Sequence, residues 1–156
     1  MRRKFALLTV SLVLFFVTVI WPRVAPIDVE KWHVDPQVVE KSSRPNQYLM
    51  RDGQDVDSMI LDLALTDLAK KIQKLTLLQP SVTVLAGSAV IGHVTYEQRS
   101  KFMAFPDYIT VKIVSEDDGR SRLIIYSRSR FGYFDLGVNR TRIKAWTAAL
   151  QSPITR

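Results

Sequence analysis

The stretch SRLIIYSRSRFGYFDLGVNRTRIKAW, Ser121 to Trp146, decides the fold. Leu123 and Ile125 alternate with Arg122, Ile124 and Tyr126, the period of a strand, and the alternation gives way to basic and aromatic residues at Arg128, Arg130 and Phe131. Gly132 and Gly137 bracket Asp135, after which Ile143, Trp146 and Leu150 recur at helical spacing. This predicts a strand, a short turn and a helix from about Asn139 to Gln151. Asp135 or Asn139 is the expected cap, with Pro153 beyond the helix end.

The segment upstream completes a hairpin. Ile109, Val111 and Ile113 alternate with Tyr108, Thr110, Lys112 and Val114, and Asp117-Asp118-Gly119 supplies the turn. A three-residue loop with Gly119 left-handed pairs Ile113 with Leu123 and Val111 with Ile125, whereas a two-residue loop would send every partner to the other face. The same register sets Glu116 opposite Arg120, Thr110 opposite Tyr126 and Tyr108 opposite Arg128. Tyr108, Lys112, Tyr126, Arg128 and Arg130 are then expected on one outward-facing stripe, basic and aromatic.

Further upstream, Val82 to Ala86 and Ala89 to Gln98 read as a first hairpin through Gly87-Ser88, and Phe102 to Asp107 as a connection whose aromatics tuck under the sheet. Leu61, Leu65, Leu68, Ile72 and Leu75 predict a helix capped by Asp55, Asp57 or Ser58, with Lys70, Lys71 and Lys74 complementing its dipole. Residues 23–51, with Pro26, Pro36 and Pro45, read as an extended linker partly laid on the domain, and 52–156 as one domain. The expected class is α+β: an antiparallel sheet of two β-hairpins with helices packed on one face, preceded by one N-terminal transmembrane helix.

That helix is residues 1–22. Arg2, Arg3 and Lys4 precede an apolar run from Phe5 to Trp21, relieved only by Thr9, Ser11 and Thr18. At 1.5 Å per residue the run spans roughly 25 Å against a hydrocarbon core of about 30 Å, enough for a minimal anchor. Arg23-Val24-Ala25 is a poor signal-peptidase site, so an uncleaved single-pass anchor is expected, with residues 5–21 in the membrane and Trp21 at its interface. The basic flank places the N-terminus in the cytoplasm and the C-terminal domain on the periplasmic side of an inner membrane.

The formal net charge of +7 is unevenly spread. After Asp118 the chain has one acid, Asp135, against eight Lys and Arg, while Asp28 to Asp67 holds nine acids and four bases, a balance of 4 − 9 = −5. An acidic first half repels a phosphate backbone, so no nucleic-acid partner is expected. The chain has no Cys, which removes disulfides, thiolate metal ligands and thiol nucleophiles together. The two histidines, His33 and His93, lack ligand spacing and nucleophile-motif context, and there is no phosphate loop or dinucleotide fingerprint. Neither metal nor cofactor is expected.

Several short runs together resemble a known signature. Arg44-Pro45-Asn46, Gln98-Arg99-Ser100, Phe105-Pro106-Asp107-Tyr108, Ser127 to Gly132 and Asp135 to Arg142 resemble domain-of-unknown-function family 1499 of bacteria and plastids, over about Ser43 to Leu150. Gln47 stands where many relatives have Cys. The resemblance implies a single domain and no activity. Two readings of its arginines stay open. In one, Arg99, Tyr108, Tyr126, Arg128, Arg130 and Arg142 receive an anionic lipid, a glycan or another envelope component, because guanidinium forks suit phosphates and aromatic faces suit sugars. In the other, Asp107, Asp135 and Asn139 tie the arginines inside the domain as ion pairs and caps, and the outer surface docks another envelope protein. Catalysis by Asp107 and Asp135 is the enzymatic alternative, less favoured because neighbouring arginines keep carboxylates ionised.

Overall fold

Alternating Ile and Val residues of the predicted second hairpin form the centre of the structure. The computed structural model describes residues 2–152. Its six strands are β1 (Gln47–Met50), β2 (Met59–Leu61), β3 (Val82–Ser88), β4 (His93–Arg99), β5 (Pro106–Ser115) and β6 (Ser121–Ser129). They form one antiparallel sheet in the order β1-β6-β5-β4-β3, with β2 sharing the outer edge of β6 beside β1. β5 and β6 pair in the expected register: Ile113 with Leu123, Val111 with Ile125, Thr110 with Tyr126 and Tyr108 with Arg128. Gly119 closes their turn at φ 81°, the left-handed conformation that glycine adopts without steric cost.

The helices are α1 (Arg2–Val24), α2 (Val29–Trp32), α3 (Leu65–Leu77) and α4 (Val138–Gln151). α3 and α4 cover one face of the sheet. Leu68, Ala69 and Ile72 from α3 and Ile143, Trp146 and Leu150 from α4 close over Val94, Tyr96, Ile109, Val111, Ile113, Leu123 and Ile125. Each large apolar side chain so buried contributes about 1.5–3 kcal/mol, so this layer carries most of the fold's stability. The Lys71 ammonium donates to the Leu150 carbonyl at 2.9 Å and fastens the end of α4 to α3. Pro153 lies outside the described residues.

Three local expectations are corrected. The predicted helix start at Asp55 to Ser58 is instead a turn: the Asp52 carboxylate accepts from the Ser58 amide and hydroxyl, and Met59 to Leu61 then pair with β6. α3 begins only at Leu65. The first hairpin does not turn at Gly87-Ser88. β3 runs through both residues, a short 3₁₀ turn (Ala89–Ile91) follows, and Gly92 (φ 75°) reverses the chain. Phe102 does not tuck under the sheet but stands 85 % exposed.

Residues 25–45 form a strap across the face opposite α3 and α4. It starts at Ala25 beside Arg130, passes Trp32 over Tyr108, reaches Asp35 at Lys112, and returns to Asn46 at the head of β1. The segment read as a linker therefore contributes a strand, β1, and a cover for the sheet.

Candidate functional site

The sheet divides the residues singled out from sequence into two groups. Tyr108, Tyr126, Arg128 and Arg130 face the strap, whereas Asp107, Asn139 and Arg142 meet on the helix side and Asp135 holds the first turn of α4. Arg99, at the last position of β4, reaches the edge between the two.

On the strap side the stripe is present but not outward-facing. Tyr108 and Tyr126 are buried. The Trp32 ring lies 4.4 Å from Tyr108, and the Arg128 guanidinium sits between aromatic faces, 5.0 Å from the Trp32 centroid and 4.5 Å from that of Tyr126. Arg128 donates to the Trp32 carbonyl at 2.6 Å, and burial lowers its pKa to about 10, which leaves it charged at neutral pH. It has aromatic and carbonyl partners in place of a carboxylate. Arg130 donates to the carbonyls of Ala25 and Pro26, and Tyr126 donates its hydroxyl to Gln47 Oε1. Gln47 itself donates to Ser42 and to the Arg44 carbonyl, so it ties the end of the strap to β1. Further along, His33 stacks on His93 at 4.1 Å and bonds Thr95 Oγ1 at 2.8 Å, and Lys112 pairs with Asp35 at 2.8 Å.

On the helix side the motif residues form one network. Arg142 donates to Asp107 Oδ2 at 2.6 Å, to Gln98 Oε1 at 2.7 Å and to Ser127 Oγ and Asn139 Oδ1 at 2.8 Å each. Asp135 accepts from the amides of Asn139 at 2.8 Å and Gly137 at 3.1 Å. Its burial disfavours the charge, but these amides outweigh that cost and hold its carboxyl below the usual carboxylate range. Among the described residues, no three His, Asp or Glu side chains converge as a metal cluster.

Beside this network lies a cleft of about 670 Å³ between the N-terminal half of α4 and the ends of β4 and β5. Arg99, Lys101, Arg142 and Asp107 line it, and Leu136, Val138 and Trp146 give it apolar wall. Arg142 is paired with Asp107 and Arg99 with Glu97, so among the described residues lining it the positive charge not already paired comes from Lys101. Arg99 is held by Glu97 at 2.6 Å and the Ala104 carbonyl at 3.1 Å. Sequence reasoning anticipated Arg99 and Arg142 but missed Lys101, Leu136 and Val138; the only signals were that Leu136 and Val138 lie inside the run Asp135 to Arg142 and that Lys101 follows Gln98-Arg99-Ser100.

The described residues thus form an α+β fold, one six-stranded antiparallel sheet with helices on it, behind one helix long and apolar enough to cross a membrane. The chain belongs to the family described as Protein of unknown function (DUF1499), whose model matches residues 30–150. No curated protein and no solved structure matches it.

Proposed function

We propose that this is a single-pass envelope protein, anchored by α1 with its N-terminus in the cytoplasm, whose periplasmic domain binds an anionic, partly apolar envelope component without chemically altering it. The observation that carries the reading is the cleft: its volume suits a small ligand, and the Lys101 ammonium at its rim beside an apolar wall suits an anionic headgroup joined to an apolar tail. The stripe of Arg128 and Arg130 is not the binding surface in this reading, because the strap covers it and its carbonyls accept from both guanidinium groups, although Arg128 Nε is buried without a partner among the described residues. Asp107 is engaged in an ion pair, and Asp135, although Gly137 and not Asp135 or Asn139 stands at the N-cap, accepts the first-turn amide of Asn139, which supports binding over proton transfer.

The test is native mass spectrometry of the full-length protein released gently from its own membrane. The expected result is one anionic amphiphile adduct on the parent. It should be lost in Lys101→Glu and in Ala145→Trp, which fills the cleft, with melting temperatures unchanged. An adduct retained by both variants, or a parent that carries none, overturns the reading.

A further inference from the structure

Large apolar side chains crowd one end of the sheet, and that is the end where α1 arrives. Phe102 is 85 % exposed, Phe134 69 % and Leu136 97 %, with Tyr133 exposed beside them. They stand on two loops, residues 100–105 and 130–137, that touch through Phe105 and Phe131 at 6.1 Å between centroids. Each loop turns on a non-glycine residue at φ 53°, Ala104 in one and Leu136 in the other. Such backbone costs on the order of 1 kcal/mol, and at Leu136 it holds an apolar side chain out in solvent, where water repays nothing.

A scatter of single exposed apolar residues is normal, but a contiguous patch marks a surface that is covered by something. Three contacts identify the cover. Arg99 donates to the Arg23 carbonyl at 3.4 Å, Arg23 donates to the Phe102 carbonyl at 3.5 Å, and Arg130 donates to the Ala25 carbonyl at 3.1 Å. The loops are thereby fastened to the last turn of α1, two residues beyond Trp21. Lys101 lies with its ammonium 5.8 Å from the Phe102 ring, so the patch combines aromatic and basic residues as membrane interfaces do.

We propose that this end of the domain rests on the bilayer that α1 crosses. Phe102, Phe134 and Leu136 enter the headgroup region, and Lys101 and Arg23 lie against anionic phosphates. The inference rests on α1 spanning the membrane; it shares Lys101 and Leu136 with the cleft, whereas Phe102 and Phe134 lie outside the cleft lining and test it separately. It stands the sheet on end, with the turn at Asp117 to Gly119 about 30 Å from the surface at roughly 3.3 Å per residue of β5.

Because the chain has no Cys, single cysteines can carry spin labels at Phe102, Phe134, Asp117 and Val17, all exposed. The full-length protein is placed in vesicles of phosphatidylcholine and phosphatidylglycerol, and each label's collisions with oxygen and with a water-soluble nickel chelate are compared. The expected oxygen-to-nickel ratio is several-fold higher at Phe102 and Phe134 than at Asp117, and highest at Val17. Ratios at Phe102 and Phe134 equal to that at Asp117, with Val17 still in lipid, overturn the docking alone. An aqueous reading at Val17 overturns both the span and the docking.

Discussion

Asn139 is fully buried, and its side chain uses every bond it can make. Its oxygen accepts from Ser127 Oγ at 2.6 Å and from Arg142 at 2.8 Å, while its two amide hydrogens are shared among the Asn46 carbonyl at 3.0 Å, Ser129 Oγ at 3.1 Å and Asp135 Oδ2 at 2.7 Å. One side chain thus joins α4 to β6 and to the residue that leads into β1. Asn139→Ala strands several of these groups out of reach of water, at about 1–3 kcal/mol for each one left unpaired. The expected loss is about 3 kcal/mol, or more than roughly 10 °C in Tm for a domain of this size, whereas the exposed neighbour Arg140→Ala should stay within about 0.5 kcal/mol. Thermal denaturation of both variants in one detergent checks this; equal melting temperatures would show that the network does not support the fold. The adjacent pair of Arg142 and Asp107 is only 10 % and 14 % exposed, so it belongs to the same buried set.

Among the elements, the strap is held by contacts that respond to acid. Burial, the facing His93 and nearby Lys112 all lower the His33 pKa below its ordinary value. Asp35, paired with Lys112, partly offsets the positive charge there. An imidazole that resists protonation when folded but accepts a proton when released gives stability that is complete above about pH 6.5, and loses it as the pH falls toward the lower folded value. The strap should therefore loosen on acidification below about pH 6.5, seen as faster proteolysis within residues 25–45 relative to the rest of the chain. His33→Gln should flatten that dependence; a wild-type strap equally protected at pH 5.5 and pH 7.5 removes the argument. That part of this segment lies on the domain was legible in the sequence, but its partners were not, because they lie some sixty residues or more away: His33 meets Thr95, and Trp32 meets Arg128. The central hairpin was legible because its inner face alternates over whole strands and its turn contains the Gly that fixes register. β1 and β2, of four and three residues, are too short to show a period. Met59 to Leu61 was absorbed into the helical repeat that begins four residues later. Exposure of the arginine stripe was misjudged for a related reason: alternation tells which residues share a face and not what lies over it. The motif of Asp135, Asn139 and Arg142 was recognisable as a unit, yet only the fold brings Asp107, Ser127 and Asn46 to it.

For the whole molecule, the uneven charge and the end-on placement of the sheet lead to a prediction about sidedness. The basic residues Arg2, Arg3 and Lys4 flank α1 on one side, while the turn at Asp117 to Gly119, with two carboxylates, lies at the far end of β5 and β6 from the α1 junction. Positive flanks stay with the cytoplasm, so the proposed topology carries Asp117 across and leaves Arg3 behind. The absence of Cys again makes this measurable. In a bacterial host with a permeable outer membrane and an intact inner one, Asp117→Cys should react with a membrane-impermeant maleimide. Arg3→Cys should react only after the inner membrane is opened. Intact mass of the labelled chain reports at the same time whether residues 1–22 remain. The reverse labelling pattern would place the domain in the cytoplasm and remove the periplasmic ligand from consideration, while leaving the bilayer contact of Phe102 and Phe134 to be judged on its own. A chain shortened by cleavage after Ala25 and released from the membrane would remove the tether on which that contact depends, since Arg99 and Arg130 would then have lost the Arg23 and Ala25 carbonyls that hold the loops to α1.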